Sequence, residues 1–579
     1  MQRERITNFL NSELNAVTEN FGKKFSAPAL HLLYEAEEMF VGQFLKFENG
    51  EMIVRFKTGG GLPRKGEYLD AFYLPLSLQS ASSWRGKSYE DLYKQRIKGS
   101  EAICIWQTKG QEAETVVMGF RGIELPFAEY LKEASGALIF FGPHRPPIEY
   151  LCNLYRLIKN DNSDKVCDIL DYAYSPVTNT PILIKTEKPE EFIYRQIASA
   201  PITVLQGPPG TGKTHLISSL CAKFCEEGKS VLVTALTNRA LIEVASKSAC
   251  ENLLNQGKVF KGNLTYDEKQ EVAKLNTLPT LSPVKGSLIL ATYYMVSGFT
   301  ENLVEGNLFD IVIMDEASQA LLPMFAAAYK IGKKSLWVGD TAQLGPVVSV
   351  REDWMKNKNY QDFADGFATL THKRPFPVYQ LTKTYRLPSR GAEYTGLFYR
   401  GSLVSGSNSS VLDINSLKSF IKSEGGPTLL LTDMPISDPS PNYAIDMATF
   451  IVHSILQECP GADIAVLTFL RKTVRSLQKA ISLRLGLGNK VVIDTVSRVQ
   501  GLTTDVTLFF IPNTSLIRSL ESRLFNVATS RAKSHTVIIA PKEILKFPYM
   551  NEEVRNFLER LNKEGAKYIP ELSNVAGRL

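Results

Sequence analysis

Gly207-Pro208-Pro209-Gly210-Thr211-Gly212-Lys213-Thr214 has the spacing G-x-x-x-x-G-K-[ST], a loop whose backbone N–H groups surround phosphate oxygens. The glycines permit the tight turn, and the helix that should follow directs its N-terminus at the anion. Lys213 is expected to reach the β- and γ-phosphates of a nucleotide, and the Thr214 hydroxyl to hold Mg²⁺. Asp315-Glu316 stands about a hundred residues further on, at the end of an apolar run. A carboxylate there suits a metal site, with Asp315 anchoring Mg²⁺ and Glu316 deprotonating the attacking water. Gln343, in Gly339-Asp340-Thr341-Ala342-Gln343-Leu344-Gly345-Pro346, is a neutral donor and acceptor suited to sensing the γ-phosphate. A lysine alone does not neutralise a triphosphate in its transition state, whereas a guanidinium added from outside the loop does. Arg386 and Arg531 are the candidates, and both are expected on a second domain that ATP draws onto the first.

These groups need a rigid frame. Ile202-Thr203-Val204-Leu205 before the loop reads as a buried strand, and the residues after it have helical spacing. Apolar runs at 231–234, 288–290, 311–314 and 336–338 alternate with helical pieces, which implies parallel β/α units. After Pro377 the same grammar recurs at 428–431, 464–467, 491–493, 506–511 and 536–540. Upstream the period is different. A helical segment over 1–35 is followed by short strand-like runs with turn punctuation, including Glu48-Asn49-Gly50, which suggest a small β-barrel. The expected organisation is a barrel-like domain over 36–145, a helical connector over 146–184, a first nucleotide-binding domain over 185–378 with a helical insertion near 245–285, a second domain over 379–541, and a helical tail over 542–579.

The chain has 579 residues, 44% hydrophobic and 22% charged, with a net charge of +6. That is an ordinary globular composition whose mild basicity permits nucleic-acid binding without indicating it. The seven cysteines form no CxxC pair and the six histidines no HExxH. A protein zinc site is therefore not expected, and a reducing, cytoplasmic compartment is. No apolar stretch approaches the roughly 20 residues that a membrane helix needs.

Taken together, GPPGTGKT, DEASQ, GDTAQLGPV, TYR, VQG and NVATSRAK occur in the order of the superfamily 1 helicase motifs. Over roughly 185–541 the chain resembles a superfamily 1B helicase of the up-frameshift/senataxin group. The resemblance implies an α/β fold with two RecA-like P-loop NTPase domains, an N-terminal β-barrel, and a nucleic-acid groove across both domains. It also implies that Thr237, Asn238, Thr292, Thr495 and Ser497 contact the nucleic-acid backbone. Tyr385 corresponds to a position that stacks on adenine, and Gln500-Gly501 to the motif linking strand grip to the ATP site. The pattern departs from the family at three places. Glu190 and Gln196 stand near the usual upstream glutamine, Thr503 replaces an acidic residue, and Thr468-Phe469-Leu470-Arg471 replaces Thr-Pro-Tyr. The expected function is an ATP-driven helicase or translocase on single-stranded DNA or RNA, 5′ to 3′ by resemblance. The alternative is a nucleic-acid-dependent clamp or protein-displacing remodeller that does not unwind. The compact build suggests a bacterial or mobile-element source.

Overall fold

The computed structural model describes residues 2–58, 60–110, 112, 114–134, 136–172, 180–301, 303, 308–372, 377–408, 410–485, 491–499 and 501–570. A 24-residue helix, Gln2–Phe25, opens the chain and buries Ile6, Phe9 and Leu10. A closed antiparallel barrel follows, built from β1 (Phe40–Glu48), β2 (Glu51–Lys57), β3 (Tyr68–Tyr73), β4 (Lys98–Lys109), β5 (Thr115–Arg121) and β6 (Leu138–Pro143). Its strand order is β1-β2-β5-β4-β3-β6, with β1 pairing β6 to close it. Asn49 and Gly50, both at positive φ, form the two-residue turn between β1 and β2, which matches the right-handed twist of a hairpin. Phe56, Phe120 and Phe141 fill the interior, with the last two rings stacked at 4.7 Å.

The helix Ile148–Asn160 leads from the barrel to a nine-stranded, all-parallel sheet. Its strands are β7 (Ile182–Ile184), β8 (Ile202–Gln206), β9 (Val231–Ala235), β10 (Val259–Lys261), β11 (Asn276–Thr277), β12 (Leu288–Thr292), β13 (Phe309–Met314), β14 (Gly332–Gly339) and β15 (Val378–Leu381). They run in the order β11-β10-β12-β9-β13-β14-β8-β15-β7. Every residue of β8 and β9 is buried, as expected of strands covered on both faces. The sheet thus reaches from Ile182 to Leu381 rather than stopping at 378. The segment 245–285, expected to be helical, also adds β10 and β11 to the sheet edge. Within it, Thr265 and Glu268 form a capping box, and Glu268 pairs with the buried Lys261 at 2.9 Å. This cap docks on the barrel: Tyr266 N–H donates to Ile123 O at 2.7 Å, and Asp267 accepts from Gly122 N–H at 3.0 Å.

The short parallel pair β16 (Lys383–Thr384) and β17 (Val404–Ser405) bridges to the second sheet. That sheet contains β18 (Gly426–Thr432), β19 (Ile464–Thr468), β20 (Val491–Thr495), β21 (Thr504–Phe510), β22 (Ala532–Pro541) and β23 (Lys567–Ile569), in the order β20-β19-β21-β22-β18-β23. The expected tail is part of this body. Its helix Glu552–Lys563 buries Val554, Phe557, Leu558 and Leu561 in the second core, and β23 pairs with β18. Among the described residues, no helix is long and apolar enough to cross a membrane.

Candidate nucleotide site and nucleic-acid track

Strand β8 ends in the phosphate-type loop, and the helix Lys213–Glu226 begins at Lys213, capped by Gly212 in the left-handed region (φ 79°). Gly210 lies at φ 72°, and a Cβ there would sit 2.3 Å from Arg386 Cβ; only glycine suits both the conformation and the space. Lys213 Nζ folds back onto its own loop and donates to Gly207 O at 2.5 Å. Burial lowers its pKa, opposed by Asp340 and Asp315. Pro208 O is a second acceptor for the ammonium at 3.4 Å. Thr214 follows it at the helix start, half-buried.

Asp315 follows β13 directly and is buried, which pushes its carboxyl up to about 6. Its Oδ1 accepts the Glu316 N–H at 2.8 Å. Glu316 stands at φ 50°, a left-handed conformation unusual outside glycine. Burial, then the neighbouring Asp315 charge, raises Glu316 to about 7. Its Oε2 is buried with no hydrogen-bond partner. A buried, unpartnered carboxylate oxygen beside a second carboxylate is an arrangement that a divalent cation and its water would complete, so the donor set fits Mg²⁺. Glu243, on the helix Asn238–Ala245, also faces this group and raises both carboxyls, although the motif reading did not single it out.

Gln343 is satisfied at both ends of its amide. Its Nε2 donates to Asp340 Oδ2 at 2.7 Å, and its Oε1 accepts from Arg531 Nη2 at 3.3 Å. Asp340 Oδ2 also accepts from the Tyr399 hydroxyl at 2.7 Å, and Asn526 Nδ2 donates to Ala342 O at 2.8 Å and to Tyr399 at 3.0 Å. Asp340 lay within a recognised motif, but nothing in the sequence marks Tyr399. Arg531 is 2% exposed, held by Val527 O and Leu502 O, and burial followed by Arg386 repulsion pushes it down to about 9. It remains charged at neutral pH.

Arg386, expected to face the loop from across a domain gap, follows a segment that is fastened to the loop itself. Thr384 Oγ1 donates to Pro209 O at 2.8 Å, and Tyr385 N–H donates to Gly210 O at 2.8 Å. The Arg386 guanidinium then reaches toward the second body, donating to Ser530 O at 3.3 Å. Of the two arginines, only Arg531 belongs to the second sheet's body. The exposed Tyr385 ring lies 3.9 Å from the Cβ position of Gly212, at the mouth of the loop. Gln196, near the place of the family's upstream glutamine, accepts from the Tyr379 hydroxyl at 2.7 Å. Gln500 lies outside the described residues, while Gly501 takes φ 84°.

The residues expected on the nucleic-acid backbone sit at the C-terminal ends of strands. Thr237 caps the helix Asn238–Ala245 just after β9, and Asn238 is exposed beside it. Thr292 ends β12; Thr495 ends β20, with Ser497 Oγ 3.5 Å from its hydroxyl. Each sheet thus presents hydroxyl or amide groups at the C-terminal ends of its strands. The barrel meets the second sheet near the end of β20. A cavity of about 80 Å³ is lined by Arg64 and Lys65 of the barrel and by Arg471, Arg475 and Arg498 of the second body. Arg471 and Arg475 share a face of the helix Arg471–Leu485, and Arg498 follows Ser497 directly. Gly66, directly after the two barrel cations, has its Cβ position 3.5 Å from Asp494 Oδ2. Glu67 and Asp494 line the same cavity, so five cations there stand against two carboxylates and leave it net positive. Arg471, Arg475 and Arg498 were visible as charges, but only the fold brings Arg64 and Lys65 to them.

A loop of the phosphate-binding type on the first sheet and Arg531 from the body of the second thus meet at Gln343. A family model described as an AAA domain matches residues 191–352, and a second of the same description matches 365–543. The DNA replication ATP-dependent helicase/nuclease DNA2 of Saccharomyces cerevisiae is 25% identical over 67% of this chain and 28% of its own length. The Homo sapiens protein of that name is 25% identical over 62% of this chain and 37% of its own. The chain therefore spans well under half of these relatives. Among solved structures, the arterivirus nonstructural protein 10 helicase superposes with a TM-score of 0.34 at 14% identity, over 89% of this chain and 80% of that one. That superposition is too loose to bear on the fold.

Proposed function

We propose that this chain is a nucleic-acid-stimulated ATPase that moves 5′ to 3′ on a single strand and separates duplexes. The observation that carries this reading is the Arg531–Gln343 contact between the two bodies, with hydroxyl groups at the strand ends of each. Lys213 and the loop amides of Gly207–Thr214 bind the β- and γ-phosphates, and the Tyr385 ring takes the adenine. Thr214 and Asp315 hold Mg²⁺, which when bound supplies charge neutralisation to the phosphates. Glu316 accepts the proton of the attacking water at its unpartnered Oε2. Arg531 and Arg386 stabilise charge developing on the γ-phosphoryl oxygens. Gln343 lies between Asp340 and Arg531, so loss of the γ-phosphate changes the contact on which the two bodies meet.

Thr237, Asn238 and Thr292 grip the strand from the first body, and Thr495 and Ser497 from the second. Hydroxyl and amide contacts to phosphate make the grip largely independent of sequence. Alternating closure and opening of the cleft then walks the two grips along the strand. We assign the barrel, the two RecA-like bodies and the connecting helices as separate domains, and a reducing cytoplasm as the compartment, in keeping with seven free cysteines.

The test is strand displacement on 5′- and 3′-tailed duplexes of matched DNA and RNA, with Lys213→Ala as the inactive control. Displacement from 5′ tails alone supports the reading. Strong stimulated ATPase without displacement from any duplex replaces it with a clamp or protein-displacing remodeller. Full ATP turnover by Lys213→Ala overturns the site assignment.

A further inference from the structure

The side chain of Glu13, on the N-terminal helix, is buried (4% exposed) against a segment more than three hundred residues away in sequence. Ser349 N–H donates to both of its carboxylate oxygens, at 2.7 and 2.9 Å, and Val350 N–H donates to Oε2 at 3.0 Å. Two consecutive backbone amides converging on one carboxylate form a charge-assisted grip, stronger than neutral hydrogen bonds. Ser349 and Val350 end the loop that begins at Gln343.

That loop is held at both ends by different bodies. At its start, Gln343 meets Arg531, the Ala342 carbonyl meets Asn526, and Leu344 packs into the second sheet's core. At its end, Val348 and Val350 pack into the first core, which also holds Phe9 and Leu10 of the N-terminal helix. Between the two anchors, Val347 is 93% exposed.

The same helix continues to the barrel. Arg5 donates to Asn359 O at 3.1 Å, and Phe9 meets Tyr360 at 6.0 Å, just beyond the loop. Phe25, at the other end, packs on Tyr89 at 5.6 Å and Tyr93 at 6.1 Å, and Lys24 pairs with Glu38 ahead of β1. A helix of 24 residues is a rod about 36 Å long. It joins the Gln343 loop to the domain that shares the cation-lined cavity with the second body.

We propose that Glu13 is a positioning residue that locks the Gln343 loop to this helix, and that the helix transmits strand occupancy under the barrel to ATP turnover. The proposal rests on the helicase reading above. Glu13 touches neither nucleotide nor strand; it acts through the Ser349 and Val350 amides.

The experiment compares the full chain with Glu13→Ala and Glu13→Gln, measuring ATP turnover with and without saturating poly-dT or poly-U. Thermal unfolding and strand affinity are measured alongside. In Glu13→Ala the ratio of stimulated to unstimulated kcat falls by at least about fivefold, the lower end of couplings between linked sites. Unstimulated kcat, KM for ATP and strand affinity hold. Glu13→Gln, which keeps one acceptor oxygen, recovers part of the ratio. An unchanged ratio in a folded Glu13→Ala protein overturns the linkage while leaving the helicase reading intact. Absence of stimulation in the wild-type chain overturns the helicase reading and the linkage together. Amide exchange on the wild-type chain tests the same idea without a variant: protection at Ser349 and Val350 changes when the oligonucleotide binds, and protection that does not respond overturns the proposal.

Discussion

Arg531 Nη2 stands 3.3 Å from Gln343 Oε1, a hydrogen bond from the second sheet's body to the first. The guanidinium that should meet the γ-phosphate thus already touches the residue that should sense it. Arg531→Lys keeps a positive charge and loses the planar fork, so it cannot serve Val527, Leu502 and Gln343 together. We expect kcat for ATP to fall by about 10³ or more, the range seen when such an arginine is removed. Steady-state turnover checks this, and a loss smaller than tenfold would remove Arg531 from the catalytic set.

Glu316→Gln tests the base assignment. The amide keeps the shape of the side chain and cannot take the proton, so kcat should fall by about 10²–10⁴ while nucleotide binding persists. Equilibrium binding of a fluorescent ATP analogue, beside turnover, separates the two. Loss of binding with a matching loss of turnover would make Glu316 a structural residue.

The cation-lined cavity between barrel and second body predicts a salt signature. Each phosphate contact on a single strand contributes about 0.7 to the slope of log affinity against log salt. Arg475→Ala and Arg498→Ala should each lower that slope by about this amount and weaken binding evenly across sequences. An unaltered slope in both variants would take the strand out of this cavity.

His144 gives a prediction in pH. Burial by itself lowers its pKa, but the hydrogen bond to Asp70 at 3.1 Å and the charges of Glu101 and Asp70 raise it above the ordinary 6.5. A raised imidazole stabilises the fold fully below its unfolded pKa and loses that contribution as pH rises through its folded value. His144→Asn should therefore lose more stability at pH 6 than at pH 8, read by urea unfolding. A deficit that is constant or grows with pH would contradict a charged His144–Asp70 pair.

Much of this architecture is legible in the chain. The phosphate loop and Asp315-Glu316 each follow a strand directly, and Gln343 lies in the turn just after β14, so local sequence carries both their type and their place. Asn49-Gly50 likewise announces its own hairpin. Arg386 was misplaced because sequence order says nothing of which body a crossover segment clings to; the Thr384 and Tyr385 hydrogen bonds to the P-loop decide that. Strands β10 and β11 are three and two residues long, too short for a period to declare itself; β10 pairs on the edge that β12 offers, and β11 on β10. Tyr399 and Glu13 bear no motif at all. Their roles come from partners 59 and 336 residues away, a relation that only tertiary structure expresses.

The pairing of the nine-stranded sheet also orders its making. Strand β8, which carries the nucleotide loop, lies between β14 and β15, so neither neighbour exists until the ribosome has passed Gly332 and then Val378. The barrel, by contrast, has all six strands within Phe40–Pro143 and closes on itself. During synthesis from the N-terminus the barrel can finish early. The loop at Gly207–Thr214 must wait, its apolar strand unpaired, for more than a hundred further residues. Over that interval β8 is an apolar strand without its sheet neighbours, the kind of unpaired edge that makes a half-made chain prone to aggregate.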